Sequence, residues 1–262
     1  MMGVLNVTPD SFSDGGQFGS RDEAIEHAIE MIAAGADVVD IGGESTRPGS
    51  EAVAEAVETD RVVPVIAELL RRCPSALVSV DTSKAGVAEG ALRAGARLIN
   101  DVTAGRDPRM FGVVARHDAG IVLMHMRGEP RTMQHDTAYM DVVAEVHEFL
   151  AQRAAAAVAA GIRPERTLLD PGIGFGKDVG GNLRLLSALP DLAALGHPLV
   201  VGSSRKSFIG KLADGVSPGA RLPGSLATIV ETARVPRTMV RVHDVAATVQ
   251  FLTVLAALKG AA

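Results

Sequence analysis

The sequence has no tryptophan, one tyrosine and seven phenylalanines, so only 3% of its 262 residues are aromatic. A core built from such a chain must consist of Val, Ile, Leu, Ala and Met, side chains that suit helices packed on a buried parallel sheet. There is a single cysteine, Cys73. One thiol makes no internal disulfide and no cysteine-rich metal site, and a reducing cytoplasm is its natural setting. In Arg71-Arg72-Cys73-Pro74 it stands at an expected helix end, as a bystander. No run of about 20 residues is apolar without a charge, which excludes a transmembrane helix. The first residues also lack the basic, then long-apolar pattern of a secretory leader. An excess of positive charge is missing too: 26 Lys and Arg against 31 Asp and Glu give a net charge of −5 and a pI near 5.8. That argues against nucleic acid or a membrane surface as partner, but leaves room for a local anion site. No Gly-x-Gly-x-x-Gly opens a helix after the first strand, no Gly-x-Ser-x-Gly elbow is present, and no cluster has zinc spacing. Dinucleotide, α/β-hydrolase and zinc chemistry therefore have no motif to rest on.

What is present is a repeating pattern. Short runs rich in Val, Ile and Leu, not alternating with polar residues, predict strands at Met2–Asn6, Asp37–Ile41, Leu77–Val80, Arg97–Asn100, Gly120–Met124, Thr167–Leu169, Pro198–Gly202 and Thr238–Val242. Runs of that kind suit strands covered on both faces. Longer helical patterns lie between them, among them Arg21–Ala34, Ala52–Arg71, Ala85–Ala94 and Met140–Ala160. Gly35, Gly95 and Gly161 follow three of these, the placement of helix C-caps. Successive strand–helix units without a composition break predict an α/β fold, a closed (β/α)8 TIM barrel occupying residues 1–262 as a single domain. An open doubly wound sheet is the runner-up.

In such barrels the chemistry sits at the C-terminal ends of the strands. Here those ends carry Asn6, then Glu44 to Gly49, Asp81, Asn100-Asp101, His125, Asp170 to Lys177, Ser203 to Ser207, and Arg241 with His243. A lone Asp or Asn at a strand end often only caps the next helix, and a Gly-x-Gly-x-Gly run can be no more than a tight bend. Polar groups at every end describe a lined mouth. Asp81, Asn100 and Asp170 are suited to the donor edge of a flat heterocycle such as a fused aminopyrimidinone. Arg47, Arg241, His243 and loop amides suit a phosphate or pyrophosphate, and Lys206 lies between the two sets. His125, in Met124-His125-Met126, reads as structural.

The motifs Leu5-Asn6-Val7-Thr8-Pro9-Asp10-Ser11-Phe12-Ser13-Asp14-Gly15-Gly16, Glu44-Ser45-Thr46-Arg47-Pro48-Gly49, Ser79-Val80-Asp81-Thr82, Asn100-Asp101, Asp170-Pro171-Gly172-Ile173-Gly174-Phe175-Gly176-Lys177, Ser204-Arg205-Lys206-Ser207 and Arg241-Val242-His243-Asp244 stand in an order that resembles the dihydropteroate synthase family. The resemblance runs over nearly the whole chain. It implies a transferase of folate biosynthesis that joins 6-hydroxymethyl-7,8-dihydropterin pyrophosphate to para-aminobenzoate. It further implies that Asp81, Asn100, Asp170 and Lys206 hold the pterin, with Val102 and Met124 packed on its ring. Arg241, His243 and Asn6 would take the pyrophosphate, and Asn6 would ligate Mg2+. Phe12, Thr46, Pro48, Phe175, Ser204 and Lys206 would shape the aminobenzoate pocket. Sulfonamide sensitivity and a homodimer are expected from the same likeness, beside the cytoplasmic location expected from the single cysteine.

Two departures stand against it. Family members carry a short segment before the first strand, whereas here the chain starts almost on it, so that either the start lies upstream or a barrel plug is missing. Thr232-Ala233-Arg234-Val235-Pro236-Arg237-Thr238 replaces the family's small residues and is expected to shift the last strand, weakening the placement of Arg241 and His243. The competing readings are a pterin-binding methyltransferase domain, a silent relative that binds pterin without turnover, and an aldolase using Lys206 as a Schiff base.

Overall fold

The computed structural model describes residues 1–7, 21–45, 49–129 and 131–260. Eight parallel strands close into a barrel in sequence order: β1 (Met2–Asn6), β2 (Val38–Gly42), β3 (Val78–Asp81), β4 (Leu98–Asp101), β5 (Gly120–Met124), β6 (Thr167–Asp170), β7 (Leu199–Val201) and β8 (Thr238–Val242). β8 closes on β1 through the register pairs Met2↔Arg241 and Gly3↔Val242. The expected (β/α)8 barrel is therefore the fold found. The surrounding helices are α1 (Arg21–Ala33), α2 (Glu55–Arg72), α3 (Ala85–Arg93), α4 (Met110–Arg116), α5 (Val142–Ala159), α6 (Val179–Ser187), α7 (Leu189–Ala193), α8 (Ser207–Leu212), α9 (Leu222–Thr232) and α10 (Val245–Gly260). No helix among the described residues is long and apolar enough to cross a membrane.

The local chemistry explains these boundaries. Gly35, Gly95 and Gly161 take φ of +103°, +112° and +98° just past α1, α3 and α5, where a side chain would be strained. Asp141 caps α5 by accepting from Val143 N and Ala144 N, and Asp178 caps α6 by accepting from Gly181 N. In α2, Glu55 and Glu58 fall in the first turn and Arg71 and Arg72 in the last, each sign complementing the helix dipole. Cys73 is the free, partly buried C-cap residue of α2.

β1, β5 and β8 have the predicted bounds. β2, β3, β4 and β6 run one residue further than expected, to Gly42, Asp81, Asp101 and Asp170. Those polar ends look like loop by composition, yet the parallel ladder holds them: Gly42 pairs with Asp81, and Asp81 with Asn100. α2 starts at Glu55, three residues later than expected, because Ala54 is extended and offers no capping side chain. The expected displacement of the last strand is not found. Val235 is buried, Leu199 N donates to Arg237 O at 3.1 Å, and β8 starts in register with β7 at Leu199↔Thr238.

Between sheet and helices lies a continuous core of Val, Ile, Leu, Ala and Met that includes Leu5, Ile41, Val80, Ile99, Ile121 and Leu169. A separate small cluster of Val102, Met124, Met126, Met133 and Phe175 sits at the C-terminal rim and forms an apolar wall for the mouth.

Candidate active site

Ten residues line one narrow cavity at the C-terminal end of the barrel: Asp81, Asn100, Val102, Met124, Asp170, Ile173, Phe175, Gly202, Lys206 and Arg241. All but Ile173 and Gly202 were candidates from sequence. A second, open groove against α5 and α6 is lined by Val143, Leu183, Arg184, Ser187, Ala188 and Asp191, none of them buried. It lacks convergent charge, so the chemistry belongs to the barrel mouth.

Arg241 of β8 organises the floor. Its Nε donates to Asp40 Oδ2 at 2.7 Å and a terminal nitrogen to Asp81 Oδ2 at 2.8 Å. Asn100 Nδ2 donates to the same Asp40 oxygen at 2.9 Å. Asp40 is the residue that strand-end reasoning missed. It stands two positions before the end of β2, fully buried, and its Oδ1 accepts no hydrogen bond. The available signal was a carboxylate inside Val38-Val39-Asp40-Ile41, because a strand covered on both faces tolerates a charge only with a partner. Burial pushes the Asp81 carboxyl up to about 7, against the pull of Arg241, with Asp40 adding to the rise. Asp170 is also raised by burial, opposed by the hydrogen bond from Gly172 N, 2.7 Å long, and by the Lys206 charge. Both carboxylates are better served by further donors than by their present surroundings.

The loop after β6 is a tight bend. Gly172, Gly174 and Gly176 have φ of +68°, +83° and +63°, and a Cβ on Gly172 would lie 1.9 Å from His125 O. Only glycine fits there. The bend places Phe175 so that Lys206 Nζ sits 3.7 Å from its ring centroid, a cation–π contact. Burial pushes the Lys206 amine down to about 8, with Arg241 adding to the fall. The sequence placed Lys206 at a helix start, and it is the N-cap residue of α8.

The turn after β7 is tied to the end of β8. Arg205, at φ +56°, donates from Nε to Asp244 Oδ2 at 2.9 Å and makes a second bond to the other oxygen. Arg221 donates to Arg205 O at 3.0 Å. Ser204 Oγ accepts from His243 N at 3.3 Å and lies 3.0 Å from His243 Nδ1. Burial pushes the His243 imidazole down to about 3, with Arg241, Arg205 and Lys206 adding to the fall. Asn6 ends β1, the strand next to β8 in the barrel, and is paired with Gly42 of β2. Phe12, Thr46, Arg47 and Pro48 lie outside the described residues.

Among the described residues no three His, Cys, Asp or Glu side chains converge as a metal cage. A single hard amide oxygen such as that of Asn6 fits a cation held mainly by ligand phosphates and water, which is how Mg2+ is usually bound.

Comparison with known proteins gives one answer. Residues 2–243 match the model of the pterin binding enzyme family. The chain is 46% identical over 259 residues to the dihydropteroate synthase of Synechocystis, covering 98% of this chain and 89% of that one. The structure of the Yersinia pestis dihydropteroate synthase in complex with a sulfonamide drug superposes with a TM-score of 0.93 at 45% identity, over 99% of this chain and 94% of that one. The Xanthomonas albilineans dihydropteroate synthase bound to 4-aminobenzoic acid superposes with a TM-score of 0.91 at 47% identity, over 98% and 92%.

Proposed function

The chain belongs to the dihydropteroate synthase family of pterin-binding enzymes, and on that premise we propose that it condenses 6-hydroxymethyl-7,8-dihydropterin pyrophosphate with para-aminobenzoate, giving 7,8-dihydropteroate and pyrophosphate for folate synthesis. The observation that carries this reading is the convergence of Asp81, Asn100, Asp170, Lys206 and Arg241 on one cavity. Buried carboxylates facing a cavity beside a guanidinium suit a ligand with a row of N–H donors at one end and an anion at the other.

The substitution is dissociative. The bond between the pterin methylene and the pyrophosphate oxygen breaks first, and its electron pair leaves with the pyrophosphate. The amine of para-aminobenzoate then adds to the resulting cation and loses a proton. Asp81, Asn100 and Asp170 hold the heterocycle, and the two carboxylates offset its positive charge. Ring N–H donors lower the raised carboxyl pKa values and keep both ionised. Arg241 and His243 take the pyrophosphate. His243 N donates to Ser204 Oγ, which lies 3.0 Å from Nδ1; a hydroxyl that donates to Nδ1 would leave the imidazole proton on Nε2 for the anion. Asn6 would help to hold Mg2+, which when bound would supply further neutralisation of the leaving group. Ser204, Phe175 and Lys206 shape the aminobenzoate side, and a mouth shielded from water protects the cation. The chain acts as one domain, a reading supported by the single closed barrel. The protein works in the cytoplasm and as a homodimer, the second reading supported by α10, whose Val254 and Leu258 are 55% and 66% exposed.

The test is to mix protein, Mg2+, pterin pyrophosphate and labelled para-aminobenzoate and to look for labelled dihydropteroate. Product that Lys206→Ala abolishes supports the reading, and a sulfonamide should compete with para-aminobenzoate. Pterin binding without product would leave a silent relative, and no pterin binding would remove the reading altogether.

A further inference from the structure

Lys177 follows the glycine bend and has no part in the reaction above, yet it is only 3% exposed. Its Nζ lies 2.9 Å from Gly172 O, 2.9 Å from Phe175 O, 3.2 Å from His125 O and 3.0 Å from His125 Nδ1. Three carbonyls and a ring nitrogen surround one amine, and none of these partners is a carboxylate. This is the ligand set of a small bound cation, with the cation supplied by the chain itself.

Gly172 O also accepts from Phe175 N at 3.0 Å, whereas Phe175 O and His125 O take their side-chain donor from Lys177. Gly172 is pressed against the backbone of His125, and a Cβ on Gly176 would lie 3.0 Å from Arg127 O, so the loop after β6 and the end of β5 are in direct contact. Outside the bend, Gln134 Nε2 donates to Gly174 O at 3.1 Å and Tyr139 Oη to Gly176 O at 3.0 Å. Inside it, Lys177 is the side-chain donor, beside the backbone bond from Phe175 N to Gly172 O. His125 is suited to its share: burial, with the Lys177 charge adding, pushes the imidazole down to about 3, so Nδ1 keeps a lone pair to accept with. The ring is packed edge-on against Phe149 at 4.9 Å between centroids. Burial lowers the Lys177 amine to about 7, and four acceptors around it favour the ammonium.

The two ends of the bend are the parts that meet substrate. Gly172 N holds Asp170 Oδ1, and Phe175 carries Lys206. We propose that Lys177, with His125 as its acceptor, is a positioning device of the synthase site, an internal ammonium whose grip on the Gly172 and Phe175 carbonyls sets Asp170 and the Phe175–Lys206 pair against the pterin. The proposal rests on the synthase reading and adds to it a residue that acts through others.

The experiment is steady-state kinetics for both substrates with melting temperatures measured in parallel. Lys177→Ala removes a propylammonium's worth of side chain. It should raise the KM for pterin pyrophosphate and lower kcat, together about tenfold or more, and added n-propylammonium should restore much of the loss where n-propanol does not. Equal rescue by propanol would mean that Lys177 only fills space and would overturn the proposal. So would a Lys177→Met variant with pterin KM and kcat within about twofold of the parent. Should the lysine variants not fold, the histidine decides. His125→Leu deletes the acceptor and should raise the pterin KM, whereas His125→Asn returns an acceptor near the Nδ1 position and should recover most of it. Identical kinetics for the two would sink the idea. Wild-type turnover in the same assay separates any of these failures from a failure of the synthase reading.

Discussion

On one flank of the barrel, Lys84 at the start of α3 bridges Glu44 and the fully buried Glu58 of α2. In the barrel interior, Arg241 bridges Asp40 and Asp81. Each cluster is one cation between two carboxylates, and in each, burial raises the pKa of a carboxyl, Glu58 on the flank and Asp81 inside. The difference lies in what adjoins them. None of the flank residues lines the cavity at the mouth, whereas Asp81 and Arg241 form part of its wall together with Asp170 and Lys206. The flank cluster is closed to the mouth, its lysine bridging both carboxylates, although Glu58 Oε1 accepts no hydrogen bond. The interior cluster is open, and its carboxyls gain from donors that a ligand brings. The same triad is therefore structural in one place and functional in the other, and substitutions should separate the two.

The largest effect is expected on the flank. Lys84→Met leaves Glu58 buried without its cation, and breaking a buried pair in this way typically costs about 3–5 kcal/mol. For a domain of this size the melting temperature should fall on the order of 10 °C. Turnover per folded molecule should change far less. A calorimetric scan beside an active-site titration measures both, and a collapse in turnover without a fall in stability would show that the flank cluster is not closed.

Asp170→Asn should do the opposite. Losing one charged contact to the developing cation costs about 10²–10³ in rate, or roughly 3–4 kcal/mol. Stability should hold or rise, because a carboxyl that burial disfavours is gone. Single-turnover measurement of dihydropteroate formation is the readout. A variant that turns over normally would remove Asp170 from the chemistry.

Much of this contrast can be read from the sequence, and the parts that cannot have physical reasons. Strands covered on both faces show as unbroken apolar runs, which is why β1, β5 and β8 were placed to the residue. Asp81, Asn100, Asp170, Lys206 and Arg241 were found because barrel chemistry gathers at strand ends. Asp40 escaped that rule by standing inside β2. Lys177 escaped because its acceptors at His125 come from 52 residues away, and no local pattern foretells such a contact. The Thr232 to Thr238 segment was expected to displace β8, but the backbone bond from Leu199 N to Arg237 O fixes its register whatever side chains lead into it.

The smallest effect is the sharpest, because its sign depends on pH and on ligand. The Asp81 carboxyl stands at about 7 in the fold against 3.8 for an ordinary aspartate. Between those two values the folded chain binds the extra proton, so this group's contribution to stability falls as pH rises through the window. Below about pH 4 a protonated aspartate and an asparagine are near equivalents. Above pH 7 the wild type holds a buried charge that Asp81→Asn lacks. The melting temperature of the variant minus that of the wild type should thus start near zero and grow to a few degrees by about pH 8. Pterin pyrophosphate should reverse the order, since a ligand at about 100 times its dissociation constant adds roughly 2.7 kcal/mol to the protein that binds it, and the variant has lost a partner for the ring. A variant less stable than wild type at pH 8 without ligand would mean that Arg241 needs Asp81 even in the free protein, and the interior cluster would then be as closed as the one on the flank.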